Sequence, residues 1–379
     1  AYRVIGPKTV TGRLRGIQGL STALVGRDNE IGALTQSLEN LHQGVGGIVC
    51  LIGEARIGKT SLLEDAKTAW RRIAGSEAPW VEGHGVSYET ARPYGLFMQL
   101  ARQNYGIEEN DPLEIVGEKI ANTPGRFPPQ VQTLLVHGVE ALFAVGTDSD
   151  GPQLQGEALQ QELYQANRAI LHASASHSPT VAVLDDMHCA DPASVELLIE
   201  SLSLFDDVPL LSLFSFRPER QSTAWRTKQT AETEYPHRYT EIALIALYDE
   251  DIEILFENLL NIADAPPELS QMILAKTGGN PLFLEELIRT LMEIGAITQD
   301  YTGMHWRPGT KIDELPLSEN LQALLTARID RLGDDARRTL QLSSVIGRSF
   351  HHGVIKHISD AAVALDGQLI YPPAGGIDS

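Results

Sequence analysis

The run Gly53-Glu54-Ala55-Arg56-Ile57-Gly58-Lys59-Thr60, followed by Ser61, has the spacing G-x-x-x-x-G-K-[ST]. These residue types suit a chain of phosphates. Glycines let successive backbone N–H groups turn inward, a helix N-terminus adds a favourable dipole, and a lysine supplies a compact positive charge. Lys59 is expected to reach the β- and γ-phosphates of a nucleotide, and the hydroxyl of Thr60 to ligate Mg²⁺. Further along, Asp185-Asp186 closes the apolar run Val181 to Leu184. Asp185 would hold the hydration shell of the Mg²⁺ ion and Asp186 would orient or deprotonate an attacking water, two roles that are exchangeable on sequence alone. Arg217 follows the next apolar run, where a strand's C-terminal edge faces the ligand crevice of an open α/β sheet. It suits a sensor of the terminal phosphate or a surface ion pair. Arg56 is a bulky cation inside the loop that could touch phosphate, pair with Glu54 or face solvent, the last being preferred.

These groups need a scaffold that brings separate segments to one edge. Ile48 to Ile52 is a short continuous apolar run bounded by glycines, as in a strand buried on both faces of a parallel sheet. Helical spacing from Asn29 to Leu41 precedes it, and a helix over Lys59 to Ile73 follows. Trp80-Val81, Thr180 to Leu184 and Val208 to Phe216 read as further strands, with a helix over Ser194 to Ser203. The alternation predicts an α/β fold with a parallel sheet flanked by helices, spanning 23–242 and carrying a helical insertion at about 92–178. Helices over Asp249 to Leu260, Pro267 to Leu274 and Asn280 to Ile294, then a hairpin over Ala296 to Arg307, make a small helical domain at 243–314. Asn280 is placed to cap its last helix, with Pro281 at the first turn and Gly295 at the end. A partial helical domain at 315–379 closes the chain, and 1–22 reads as a linker.

With 379 residues the chain has room for two or three domains. Its 30 basic and 50 acidic residues give a net charge of -20, the wrong sign for holding nucleic acid or anionic lipid by the overall field. Phosphate must therefore be held locally. Two cysteines, Cys50 and Cys189, make neither a disulfide framework nor a metal spacing, which points to a reducing, cytoplasmic setting. No apolar run approaches the roughly 20 residues of a membrane span. An absent initiator Met and an aperiodic opening stretch suggest an excised piece of a longer protein. No Asn/Thr-Lys-x-Asp segment is present to read guanine, so ATP is the expected nucleotide. The glycines at 44–47 precede their strand and are no dinucleotide fingerprint, while His351, His352 and His357, and the acidic run Asp148 to Gly151, lack the ligand spacing of a metal site.

Five segments in order, Leu24 to Glu30, Gly53 to Ser61, Leu184 to Pro192, Phe216 to Glu219 and Gly279 to Glu286, resemble the STAND signal-transduction ATPases, a class of AAA-like P-loop proteins. The chain looks most like the ATPase segment of large bacterial proteins with a class III adenylate/guanylate cyclase domain before it and tetratricopeptide repeats after it. Ser87-Tyr88, Pro93-Tyr94 and Leu315-Pro316 through Leu332 are similar to that subgroup as well. The resemblance implies that Arg27 and Pro281 lie on the adenine or ribose side, that the helical domain closes over ATP, and that a winged helix begins near Leu315. It also implies slow, regulatory hydrolysis of Mg-ATP. The expected partners are ATP, the domains attached in cis and, with nucleotide, further copies of the chain; nucleic acid and membrane are not expected. Arg56 stands where the class usually has Gly, Cys189 where it has Trp, and Asp185 where close relatives often have Glu. An ATPase core driving a DNA-binding regulator and a nucleotide-binding scaffold without hydrolysis are the competing expectations.

Overall fold

A computed structural model describes residues 24–85, 93–108, 111–122, 127–145, 156–260, 267–300 and 303–306, with isolated helical positions between 326 and 341. The chain divides into two compact units, 1–320 and 321–379, and every element named below belongs to the first. The opening linker, the start of the expected winged helix, Ser87-Tyr88, the acidic run at 148–151 and the histidines at 351–357 lie outside the described residues.

Helix α1 (Asp28–His42) leads into strand β1 (Gly47–Gly53), which the loop 54–58 connects to helix α2 (Lys59–Ala74). Strands β2 (Trp80–His84), β3 (Thr180–Asp185), β4 (Leu210–Phe216) and β5 (Tyr239–Leu244) complete a five-stranded sheet in the order β2-β3-β4-β1-β5, every pairing parallel. Parallel strands need covered crossovers, and the side-chain alternation of β1 shows both faces covered. Val49 and Leu51 pack with Leu34, Leu38 and Leu41 of α1 and with Leu62 and Trp70 of α2. Ile48, Cys50 and Ile52 pack on the other face with Phe214, Phe216, Val195 and Leu198. The last two belong to helix α7 (Pro192–Ser201).

Between β2 and β3 stand four helices, α3 (Gly95–Tyr105), α4 (Leu113–Ala121), α5 (Pro129–Ala144) and α6 (Gly156–His177), around Met98, Val116, Ile120, Leu135 and Leu163. This is the helical insertion read from the sequence. Its start is fastened to the sheet domain by Asp191, which caps α7. The Asp191 carboxylate, 3% exposed, accepts from Ser194 N at 2.9 Å, Ser194 Oγ at 2.6 Å and, across to the insertion, Tyr94 N at 2.8 Å. Removing it loses an N-cap, worth about 0.5–2 kcal/mol, and leaves buried donors unpaired at roughly 1–3 kcal/mol. Asp191→Ala should therefore lower unfolding stability by about 2–4 kcal/mol in a denaturant titration; a loss under about 1 kcal/mol would show that the fastening is unimportant.

After α8 (Trp225–Glu234) and β5, helices α9 (Asp249–Leu260), α10 (Pro267–Thr277) and α11 (Pro281–Glu293) close a second core of Ile252, Leu255, Phe256, Ile273, Leu284, Leu287 and Leu291. A hairpin, β6 (Ile297–Asp300) with β7 (Gly303–Trp306), follows in antiparallel register. Asn280 caps α11 as its position suggests, accepting from Leu282 N at 3.0 Å and Phe283 N at 3.4 Å. Helix α8 and the edge strand β5 have no counterpart in the sequence reading. Among the described residues no helix is long and apolar enough to cross a membrane.

Candidate nucleotide site

The loop 54–58 leaves strand β1 and enters α2, so the C-terminal edge of the sheet and a helix N-terminus meet at one place. Gly58, at φ +107°, makes the last turn before the helix. Lys59 is 6% exposed, and its ammonium donates to the carbonyl oxygens of Gly53 at 2.6 Å and Glu54 at 2.8 Å. Burial pushes this ammonium below the ordinary lysine range, Asp186 and Asp185 pull it back, and Arg217 adds to the fall. The lysine thus lies within the field of the two acids and of the arginine that were read from separate parts of the sequence.

Thr60, on the first turn of α2, donates its hydroxyl to Asp185 Oδ2 at 3.3 Å. The other carboxylate oxygen of Asp185 accepts from the Ser215 hydroxyl and from Asp186 N at 2.9 Å. Ser215 and the backbone thereby fix the rotation of the carboxylate, leaving Oδ2 toward Thr60. Two hard oxygens from different elements suit a Mg²⁺ ion that completes its shell with phosphate oxygens and water. No group of three or more His, Cys, Asp or Glu side chains able to hold a metal occurs among the described residues. Asp186 follows at φ +55°, a left-handed conformation that Asp tolerates better than most residues and that turns the chain sharply after β3.

Arg217 directly follows β4, with Glu219 3.9 Å from its guanidinium. Its charge lowers the proton affinity of both Lys59 and His188. Burial is the larger cause at His188, whose Nδ1 is buried without a hydrogen-bond partner. Glu54 and Arg56 are exposed, Ala55 and Ser61 half-buried and Ile57 buried. Arg56 takes φ +68°. A left-handed non-glycine residue costs about 1–2 kcal/mol, and a glycine in its place adds unfolded-state entropy of about 0.4–1 kcal/mol. Arg56→Gly should therefore be neutral or stabilising by up to about 1 kcal/mol. A clear loss in thermal unfolding would show that the arginine is held there by contacts of its own.

Arg27, 4% exposed, is engaged on three sides: Nη1 pairs with Glu30 at 3.0 Å, and Nη2 donates to the carbonyls of Ile245 at 2.6 Å and Ile57 at 3.5 Å. It ties the start of α1 to the phosphate loop and to the connector between β5 and α9. The same connector receives the turn before Pro281, through Leu247 N to Gly279 O at 2.8 Å. Gly279, at φ +74°, has Ala246 Cβ within 2.8 Å of where a side chain would start. So Arg27 and the turn that leads into Pro281 both bond to the same connector.

Sequence reading gave no role to Ser215 or His84. Ser215 was detectable as a polar interruption of an apolar strand. His84 Nδ1 lies 3.8 Å from Asp185 Oδ2 because β2 runs on to His84 and registers it against Asp185. Ending that strand at Val81 hides the pairing.

Comparison with known proteins adds the family. The chain is 22% identical over 370 residues to an uncharacterized protein of Rhizobium meliloti (strain 1021), covering 91% of this chain and 32% of that protein, so it spans about a third of its relative's length. Among solved structures it is similar to a signal transduction ATPase with numerous domains and a tetratricopeptide repeat sensor from Pyrococcus horikoshii (TM-score 0.45, 16% identity, 90% of this chain and 37% of that one). It is also similar to the Aeropyrum pernix ORC1 protein, solved in complex with DNA (TM-score 0.43, 14% identity, 93% and 80%). Residues 249–300 match a domain of unknown function. Residues 23–214, just over half of the chain and the part that carries both the lysine loop and the paired acids, match the AAA ATPase domain, and the chain belongs to that family.

Proposed function

We propose that this chain is a signal-transduction ATPase of the STAND type, which binds Mg-ATP between the loop 53–61 and the strand ends at 185–186 and 217, and hydrolyses it slowly. The observation that carries the reading is the meeting of Thr60 and Asp185 at 3.3 Å beside a buried Lys59 that feels both acids. On binding, the ammonium of Lys59 exchanges the carbonyls of Gly53 and Glu54 for β- and γ-phosphate oxygens, and the N–H groups of the loop close around the chain of phosphates. Thr60 and Asp185 hold Mg²⁺, which when bound neutralises charge on the phosphate oxygens.

Asp186 takes a proton from water as the water oxygen bonds to the terminal phosphorus and the bond to the bridging oxygen breaks, giving ADP and phosphate. Arg217 is assigned the role of the cation that meets charge on the transferred group. Arg27 and Pro281 border the base or ribose, with the domain of α9 to α11 closing over them. Nucleotide state then biases domains attached in cis, a class III cyclase on one side and tetratricopeptide repeats on the other, from a cytoplasmic location. The net charge of -20 counts against a role on DNA. Calorimetry with ATP in the presence and absence of Mg²⁺, together with phosphate release, tests the reading. Mg²⁺-dependent binding with slow release is expected, and no binding with the ion present would refute it.

A further inference from the structure

We infer that Gly85, at the end of β2, is a positioning residue for Asp186, an inference that rests on the proposed hydrolysis. Strand β2 pairs with β3 in a register that sets His84 against Asp185, and Gly85 N extends the ladder by donating to Asp185 O at 2.8 Å. One residue further, the two chains press together. A Cβ at position 85 would fall inside contact distance of the Asp186 carbonyl oxygen, 3.1 Å from Cys189 Cβ and 3.2 Å from Ala190 N. The obstructing atoms are mostly backbone, so they cannot swing aside as a side chain does.

They also belong to the one turn that aims the acid. Asp186 sits at φ +55°, its N–H donates to Asp185 Oδ1 and to Ser215 Oγ, and the chain closes a single tight turn through Cys189 N to Asp186 O at 2.9 Å. A methyl at 85 would push that peptide away from β2 and rotate the carboxylate that follows from it. The phosphate loop lies across β1 and takes no part in this contact, so binding and hydrolysis should separate. A displacement of about 1 Å at a reacting group costs on the order of 10²-fold in rate, whereas the nucleotide's anchors at Lys59 and Thr60 stay in place. The same contact was invisible in the sequence, where Gly85 reads only as a strand end.

Gly83 provides the matched control. It lies on the same face of β2, two residues earlier, and the nearest atoms to a methyl there would be Leu100 Cδ2 at 2.9 Å, Leu184 Cδ2 at 3.0 Å and Leu100 Cγ at 3.1 Å, side-chain atoms that give way more readily than backbone. The experiment compares the full chain with Gly85→Ala and Gly83→Ala by ATP calorimetry, single-turnover phosphate release and thermal unfolding. Gly85→Ala is expected to bind Mg-ATP within about twofold of the parent and to release phosphate at least tenfold more slowly, while Gly83→Ala keeps both. Parental release by Gly85→Ala, parallel loss of binding and release, or an equal loss in Gly83→Ala would each overturn the inference. So would unfolding of Gly85→Ala alone, since the contact would then hold the fold and not the acid. A parent that neither binds nor hydrolyses ATP refutes the proposed function itself, which a failure of Gly85→Ala to slow an active parent does not.

Discussion

Lys59→Ala is expected to weaken Mg-ATP binding by roughly ten- to a hundredfold, because a hydrogen bond from a charged donor is worth about 1.5–3 kcal/mol and each 1.4 kcal/mol is a factor of ten. The position of the ammonium sets this expectation. It is buried, it rests on the carbonyls of Gly53 and Glu54, and it stands in the field of Asp185 and Asp186. A triphosphate replaces weak carbonyl acceptors with charged oxygens, whose negative charge offsets the burial that depresses the proton affinity of the lysine. Alanine also leaves two backbone carbonyls of the loop without their donor, so the loop loses an internal tie as well as a charge. Lys59→Met, which keeps the apolar stem but neither charge nor donor, separates the packing of the stem from the loss of the ammonium: it should match alanine in affinity and exceed it in thermal stability. Calorimetry on both variants checks the result. Parental affinity in either would mean that the phosphates are held elsewhere.

The residues of the proposed site are legible in the sequence, and the reason is local. The lysine loop and the acid pair are each contiguous, and each directly follows an apolar run that can only be a core strand. The helical insertion was legible too, because α3 to α6 keep an apolar period between Pro and Gly breaks. What the sequence left open depends on which chains lie side by side. Strand order β2-β3-β4-β1-β5 sets Lys59 after β1 and the acids at the end of β3 with only β4 between them, and no spacing encodes that order. The edge strand β5 was missed because only Ile242 and Leu244 are buried along it, with Glu241 exposed before them and Ala243 exposed between them. That alternation was present but short, and it lies where the reading changed from one domain to the next. Arg27 shows the same limit in side-chain form. The family resemblance implies a place beside the nucleotide, whereas its backbone partners, Ile57 and Ile245, are distant in the chain and follow only from the fold.

Asp186→Asn is expected to leave Mg-ATP binding within a fewfold of the parent and to slow phosphate release by about 10²–10⁴, the usual contribution of a positioned proton acceptor. Asparagine keeps the size and the tolerance for φ +55°, so the turn that Gly85 and Ser215 support should persist. It cannot take the proton of the attacking water. Asp185→Asn makes the contrast. Asp185 accepts from the Ser215 hydroxyl and from Asp186 N on one oxygen and from Thr60 on the other, so its loss should impair the hold on Mg²⁺ and show as a greater demand for the ion. Two titrations resolve the pair: release against ATP at saturating Mg²⁺, and release against Mg²⁺ at saturating ATP. Asp186→Asn should fall in the maximal rate of both, and Asp185→Asn should shift the midpoint of the second. Exchange of these two patterns would reverse the roles of the acids while keeping the site. Unchanged release in both variants would leave the strand end without a part in hydrolysis and would assign the chemistry to other residues.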